Sequence, residues 1–380
     1  MDPVWIERMD PVYPSWFKLL LGWPKRKSST HFKWPRNPRS IMEMASEKHK
    51  LMDNEFMGKP KRKKDPVNLQ VTLWPTFPHF TRFVNDDRLQ GIRMNSAMIK
   101  APDLAVEIAQ AKHHPGVPLW FDVKGRQLRI TEVIAAPDHL EIKLNHNISC
   151  VTPTPVLFKA AEDMALLLEI KDGNHLIFEG GPHYMVYEGE SIHIRHPSLK
   201  VSGPIFIESE VEKIERVKAE GFDKWYLSYV EGWDEVREFQ NLVGKYAEIR
   251  LKIESKAGLR FVSQDFEKKD NLTLVAARGD LFVEINYPHE ILKALQMIIQ
   301  HDPEAIAGSR MLLSLVGHKC KKCSDYQPQD VPSCSDLGDL AWMYDLGYRN
   351  FLLCDELCLK EDLLAKAVNV FDAFREDYCG

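Results

Sequence analysis

After Pro66 the chain alternates between short β-branched or aromatic runs and longer amphipathic segments. That alternation is typical of βα units, in which a helix returns the chain to the start of the next parallel strand. Eight runs predict strands, namely Leu69–Thr76, Gly91–Ala97, Pro118–Val123, Lys224–Val230, Ala247–Ile253, Leu272–Ala277, Ala305–Ser309 and Asn350–Cys354. Six segments predict helices, at residues 103–112, 208–220, 233–243, 290–299, 337–345 and 360–374. The pattern therefore predicts an α/β fold, a (β/α)8 TIM barrel.

A long excursion separates the third predicted strand from the fourth. Residues 132–201 hold short alternating runs with glycine turns, such as HLEIKL and SIHIRH, which predict a small all-β insert. Reactive groups of a barrel lie at the C-terminal ends of its strands, so an insert at this point would form a lid over them. The predicted domains are an extension at 1–66, the barrel at 67–131 and 202–380, and the lid domain at 132–201.

The first 66 residues differ from the rest in charge and composition. They hold 15 Lys and Arg against 8 Asp and Glu, whereas the whole chain has a net charge of -5. They also hold 4 of the 9 Trp and 8 of the 23 Pro. Cations interleaved with aromatics, as in WPKRK, suit a protein or RNA partner. A solvated basic N-terminal extension is the alternative interpretation.

Composition excludes several classes of protein. A hydrophobic fraction of 44% is too high for a disordered chain, and no run approaches 18 apolar residues, so no membrane span is expected. The odd number of Cys, seven, indicates a reducing compartment. Cytoplasmic localisation is expected by default, with the mitochondrial matrix as the alternative.

The spacing of His318, Cys320, Cys323 and Cys334 fits either a zinc site or free thiols.

Three predicted strands end in charged or polar side chains that packing does not require. Lys252 and Glu254 alternate with Ile253 and so share one side of their strand. Asp280 follows the sixth strand, and Arg93 lies on the second. Carboxylates from neighbouring strands suit a divalent cation with oxygen ligands, and the nearby cations suit an anionic substrate.

These strand ends resemble those of the pyruvate kinase family. The matching segments are LKIES at 251–255, VAARGDLFVEI at 275–285, FDVKGRQLR at 121–129, GIRMNSA at 91–97 and SRMLLS at 309–314. The resemblance covers about residues 66–380. It implies the barrel and the lid, and because the chain ends after the last barrel helix we expect no C-terminal regulatory domain.

The resemblance implies a substrate half-site. Arg93 and Lys252 would be catalytic, Arg93 by holding the phosphate and Lys252 by stabilising the enolate and the transferred phosphoryl group. Gly279 would offer its amide to the substrate carboxylate, and Asp280 would also contact the substrate. Ser309 replaces the family's Thr and keeps the hydroxyl group.

The resemblance also implies cation and nucleotide sites. Glu254 and Asp280 would bind Mg²⁺ or Mn²⁺, and Asn95 and Arg129 would contact the nucleotide, ADP in the family. Besides Ser309, five positions depart from the family pattern: Ala97 for Ser, Val123 for Thr, Met98 for His, Val211 for Lys and Phe282 for Gly. Two oxygen ligands for K⁺ are thereby lost, so K⁺ is not expected as a cofactor.

Two functions follow as alternatives. The first is an enzyme of the glycolytic type, a magnesium-dependent transferase (kinase) that binds phosphoenolpyruvate or a related small 2-oxo acid and transfers phosphoryl through a metal-bound enolate. A lyase or decarboxylase that acts on a related 2-oxo acid through the same enolate belongs to this alternative. The second is a catalytically inactive pyruvate-kinase-like pseudoenzyme. It would serve as a subunit of a large assembly, such as an organellar ribonucleoprotein, docked through residues 1–66.

Overall fold

The computed structural model describes residues 66–96, 104–112, 116–134, 136, 138–319, 326–327 and 330–379. The chain divides into residues 1–61 and 62–380, and every described residue falls in the second unit. The predictions for residues 1–65, for Ala97 and Met98, and for a zinc site at Cys320 and Cys323 lie outside the described residues.

The first part of the chain forms three barrel strands and two helices. In order they are β1 (Asn68–Thr72), α1 (Phe80–Val84), β2 (Leu89–Asn95), α2 (Leu104–Lys112) and β3 (Leu119–Val123). Alternate residues of these strands face the inside of the barrel, because successive side chains of a strand point to opposite faces.

The excursion after β3 forms antiparallel sheets. Its strands are β4 (Ile130–Ile134), β5 (Glu141–Leu144), β6 (Asn147–Ser149), β7 (Thr154–Phe158), β8 (Asp163–Lys171), β9 (His175–Glu179), β10 (Ile192–His193) and β11 (Lys200–Ser202). Six of them form one sheet in the order β10-β7-β8-β9-β5-β4, and β6 pairs with β11. The strands bury a separate apolar core that includes Ile142, Phe158 and Phe178. The predicted all-β lid is therefore confirmed.

The second part of the chain completes the barrel. Its elements are α3 (Glu208–Ala219), β12 (Lys224–Leu227), α4 (Trp233–Val243), β13 (Glu248–Ile253), α5 (Lys256–Gln264), β14 (Leu272–Ala277), α6 (Arg278–Glu284), α7 (Glu290–His301), β15 (Ile306–Gly308), β16 (His318–Lys319), β17 (Tyr326–Gln327), α8 (Cys334–Leu346), β18 (Asn350–Leu352), α9 (Asp355–Cys358) and α10 (Glu361–Asp377). All six predicted helices are present, whereas α1, α5, α6 and α9 were not predicted.

Eight parallel strands close the barrel in the order β1-β18-β15-β14-β13-β12-β3-β2. The predicted TIM barrel is therefore confirmed, with all eight predicted strands in its wall. Although the lid separates β3 from β12 in sequence, the two strands pair directly, with Val123 opposite Leu227. The side chain of Arg126 lies where the chain leaves the barrel, and it donates to the carbonyls of Val201 and Gly203, where the chain returns.

Alternate side chains of each barrel strand face either the surrounding helices or the inside of the barrel. Leu251 and Ile253 of β13 belong to the large core between the wall and its helices, whereas Lys252 faces inwards with Glu254 just beyond the strand. A small apolar layer that includes Trp120, Tyr226 and Val275 fills the inside of the barrel. Within the described residues, no helix is long and apolar enough to cross a membrane.

Candidate functional site

A cavity of about 350 Å³ lies at the C-terminal ends of the barrel strands, and we call it the strand-end cavity. Its wall contains every residue that the sequence predicts for the site, namely Arg93, Asn95, Arg129, Lys252, Glu254, Gly279, Asp280 and Ser309. The lid contributes Ala160, Glu162 and Ser191 to the same wall. The structure thus brings together side chains that the sequence scatters over more than 200 positions.

Lys252 lies in the floor of this cavity. Its Nζ atom donates to Ser228 Oγ at 2.9 Å and lies 2.9 Å from Glu254 Oε1 and 3.6 Å from Asp122 Oδ2. Burial opposes its charge, but the carboxylates of Asp122 and Glu254 outweigh burial and raise the pKa of Lys252. The lysine is therefore a fixed cation at neutral pH.

Glu254 and Asp280 offer carboxylate oxygens just beyond the ends of the neighbouring strands β13 and β14. Glu254 is fully buried, accepts a hydrogen bond from the Tyr229 amide at 2.8 Å, and has its pKa raised by burial to about 7. Burial also acts to raise the pKa of Asp280, but His193 and Lys252 outweigh it and hold that pKa well below its usual range. The two carboxyl groups interact closely, which favours a shared cation over two free negative charges.

The donor set fits a hard divalent ion. Glu254 Oε1 is buried, and the contact that the structure gives for it is the ion pair with Lys252 Nζ at 2.9 Å. Within the described residues, no group of three or more His, Cys, Asp or Glu side chains could enclose a metal. Mg²⁺ commonly takes only one or two protein carboxylates and completes its shell with water and substrate oxygens. Glu254 and Asp280 could hold such an ion.

Asp122 connects the cations of the cavity, a role that the sequence did not predict. Its carboxylate, with no exposed surface, accepts from Arg93 Nε at 2.8 Å, Lys124 Nζ at 3.2 Å and Ser228 Oγ at 3.1 Å. Burial alone would raise its pKa, but the surrounding cations hold that pKa far below its usual range. Asp122 is therefore the counter-charge that allows three cations to share one buried site.

Arg93 is bound on both sides by carboxylates. Besides Asp122, Asp355 Oδ1 accepts from Arg93 Nη1 at 2.7 Å, and Asp355 Oδ2 accepts from Asn95 Nδ2 at 2.8 Å. Thr72 Oγ1 also accepts from Nη1, at 3.1 Å. Sequence reasoning missed Asp355, although its place directly after the eighth strand is a signal that could have found it. An anion that enters the cavity would have to displace Asp355 to reach Arg93.

The other predicted residues are held by the loops around the cavity. Arg129 donates from Nε and Nη2 to Gln127 Oε1, at 2.9 and 2.7 Å, and from Nη1 to the carbonyl of Gly189 in the lid. Gly279 lies in the first turn of α6. A Cβ atom there would meet Ser309 Cβ at 3.7 Å, an ordinary contact, so packing alone does not require glycine at 279.

A buried histidine joins the lid to the barrel. The side chain of His193, 1% exposed, places Nδ1 2.8 Å from Glu284 Oε1 and Nε2 3.3 Å from Asp280 Oδ1. Tyr229 Oη lies 3.1 Å from the same Nδ1. Burial opposes protonation, but the two carboxylates outweigh it and raise the pKa of His193 to about 9. Sequence reasoning missed this contact because it joins a lid strand to a barrel helix.

We expect His193→Ala to loosen the lid. The change leaves two acidic groups without their buried partner, which costs at least about 1–3 kcal/mol of local stability. Hydrogen exchange of the amides at 191–196 should then rise by about tenfold or more. His183→Ala is the matched control, because its lid imidazole is 93% exposed and, among the described residues, pairs only with Asp163. Equal exchange in the two variants would contradict this role of His193.

The fold and the cavity together define a TIM-barrel protein with lysines, arginines and carboxylates gathered at its strand ends. Over 270 residues the chain is 26% identical to the pyruvate kinase of Methanocaldococcus jannaschii. The match covers 66% of this chain and 58% of that protein, so the chain matches a little over half the length of this curated relative. No family model matches the chain. The similarity supports a relationship with the pyruvate kinase family.

Proposed function

We propose that the protein binds phosphoenolpyruvate or a related small 2-oxo acid together with a divalent metal, and that it transfers a phosphoryl group through an enolate. One observation carries the proposal: all eight residues that the family resemblance selects line the same cavity. The relationship with pyruvate kinase supports a reaction of this class. The cation at Lys252 beside two carboxylates supplies the charges that such chemistry needs.

In this proposal each side chain has a definite task. Lys252 faces the oxygen that becomes negative when the bond between phosphorus and the enol oxygen breaks, and its fixed charge stabilises that oxygen. The Gly279 amide and the Ser309 hydroxyl orient the carboxylate end of the substrate. The phosphoryl group passes to a nucleoside diphosphate near Asn95 and Arg129, and the enolate carbon then takes up a proton. K⁺ is not expected to take part.

Glu254 and Asp280 would hold Mg²⁺ or Mn²⁺. When bound, a divalent ion would neutralise developing negative charge on the substrate. The carboxylates themselves fix its position, because Glu254 is held by the Tyr229 amide and Asp280 lies against His193. Carboxylates held in this way need little rearrangement to accept a cation.

A second candidate function is a binding or structural role without catalysis. The observation that favours it is the pairing of Arg93 with both Asp122 and Asp355, which leaves the predicted phosphate ligand engaged by the protein itself. In this case the cavity would be a remnant of an enzyme. Residues 1–66 would dock the protein to a protein or RNA partner, and the compartment would be that of the assembly.

A thermal unfolding experiment with metal and oxalate distinguishes the two candidate functions. Oxalate has the shape and charge of the enolate of pyruvate, so we expect it to raise the unfolding temperature when Mn²⁺ or Mg²⁺ is present. Saturation at about one hundred times the dissociation constant stabilises a protein by about 2.7 kcal/mol. For a chain of this size that corresponds to a shift of several degrees.

Three results have distinct meanings. Stabilisation that needs both metal and oxalate, accompanied by turnover of phosphoenolpyruvate with a nucleoside diphosphate, supports the kinase proposal. Stabilisation without turnover supports binding without catalysis. If neither ion nor oxalate changes the unfolding temperature, the proposed binding of 2-oxo acids is wrong.

A further inference from the structure

Arg310 lines the strand-end cavity but pairs with no carboxylate among the described residues. Its Nε atom is buried and makes no hydrogen bond. The Phe282 ring is the contact that the structure gives for its guanidinium, with Cζ 4.8 Å from the ring centroid. A partly buried cation without a counter-charge is unfavourable, and a ligand anion would relieve that cost.

The other cations of the cavity differ from Arg310 in this respect. Arg93, Lys124 and Lys252 each contact at least one carboxylate within 3.2 Å. Arg129 donates to neutral oxygens of an amide and a carbonyl group. Arg310 is therefore the cavity cation whose guanidinium is least engaged by the protein.

The backbone around Arg310 holds it in an unusual conformation. Ser309 and Arg310 have φ angles of 65° and 56°, and Leu312 has 54°, all in the left-handed region. Such positions cost on the order of 1 kcal/mol or more each for residues other than glycine, and they are concentrated at ligand sites. Arg278 donates to the Ser309 carbonyl at 3.0 Å, which fixes this turn in place. The turn directs Arg310 to the cavity wall beside Phe282.

We propose that Arg310 binds a second anionic group of the ligand, so that the site selects small acids with two negative groups. The inference rests on the proposed function, in which Lys252, Glu254 and Asp280 bind the 2-oxo acid group of the ligand and the divalent metal. Because Asp122 and Asp355 already engage Arg93, Arg310 is the cation left to receive the other end. A planar guanidinium binds carboxylate or phosphate through two parallel hydrogen bonds, so both groups are suitable.

The test compares ligands with one and two anionic groups by isothermal titration calorimetry in the presence of Mn²⁺. Pyruvate has one, 2-oxoglutarate adds a second carboxylate, and phosphoenolpyruvate adds a phosphate. We expect Arg310→Gln to lower the affinity for at least one of the ligands with two anionic groups by about tenfold or more. That is the loss typical of one hydrogen bond to a charged group. Pyruvate should bind both proteins equally. Whichever two-group ligand is affected identifies carboxylate or phosphate as the group recognised.

Arg237→Gln is the matched control, because Arg237 lies on α4 with 65% of its side chain exposed. Titration with inorganic phosphate in the absence of metal gives an independent measurement. We expect Arg310→Gln to weaken the binding of phosphate too. The inference is overturned if the ligands with two anionic groups bind wild type and variant equally. It is also overturned if the substitution weakens the binding of pyruvate as much as the binding of those ligands. Phosphate binding that depends on Arg310, with no 2-oxo acid bound, would support Arg310 while refuting the proposed function. If no anion binds the wild type, both are wrong.

Discussion

Lys252→Ala should abolish most metal-dependent turnover of phosphoenolpyruvate. The substitution removes a buried cation 2.9 Å from Glu254, at the place where negative charge develops in the proposed reaction. A positioned charge or donor of this kind contributes about 10²–10³-fold to kcat. The measurement is a coupled assay with Mg²⁺ and several nucleoside diphosphates, performed on wild type and variant at equal concentration.

Two further measurements exclude a loss of structure as the cause. Lys256→Ala, four positions on, removes a lysine that contacts only Asn286 among the described residues and does not line the cavity, so its activity should equal that of wild type. Mn²⁺ binding by Lys252→Ala should persist, because Glu254 and Asp280 remain. Turnover that is the same with and without Lys252 would refute the assigned role.

Asp122→Asn is expected to lower the free energy of unfolding by about 3–5 kcal/mol, as when one partner of a buried ion pair is removed. The carboxylate has no exposed surface and pairs with Arg93, Lys124 and Lys252. Its loss leaves Lys124 without a carboxylate among the described residues, whereas Arg93 keeps Asp355 and Lys252 keeps Glu254. An amide fills the same space, which separates the effect of charge from that of packing. Urea unfolding followed by circular dichroism measures the change.

Asp234→Asn provides the comparison on the surface. Asp234 pairs with Arg237 on α4, and its side chain is 82% exposed. Exposed ion pairs contribute about 0–1 kcal/mol, so this variant should unfold almost as wild type does. If both substitutions lower the free energy of unfolding by similarly small amounts, then water or rearranged side chains compensate the charge of the buried cations.

The barrel could be predicted from the sequence because its signal is local. Each buried strand is a short apolar run, and the predicted ends of β13 and β14 lie within one residue of the observed ones. The helix α5 was missed although Ser255 caps it by accepting from the Gly258 amide. This helix is nine residues long and has Gly258 in its first turn, so the capping serine was the stronger signal. The helix α6 begins at the motif residues themselves, which carry chemistry rather than helical periodicity.

The candidate site could be predicted where its residues lie in the segments that resemble the family. Lys252 and Glu254 are two positions apart at the end of β13, and Gly279 and Asp280 are adjacent, so their spacing was also informative. Asp355 and His193 lie outside the matching segments, and Arg310 follows Ser309 inside one of them. What matters about each is the partner it has or lacks. Such pairings depend on tertiary structure and leave no trace in local sequence patterns.

The direct pairing of β3 with β12 has a consequence for how this chain could have changed over time. The lid enters and leaves the barrel at one place, where Arg126 spans both segments. The wall beneath it is already continuous through strand pairs that the lid does not supply. Insertions, deletions and substitutions in the lid therefore leave every barrel strand pair intact. Where they also keep the His193 contacts with Asp280 and Glu284, the lid can change while the barrel wall is preserved.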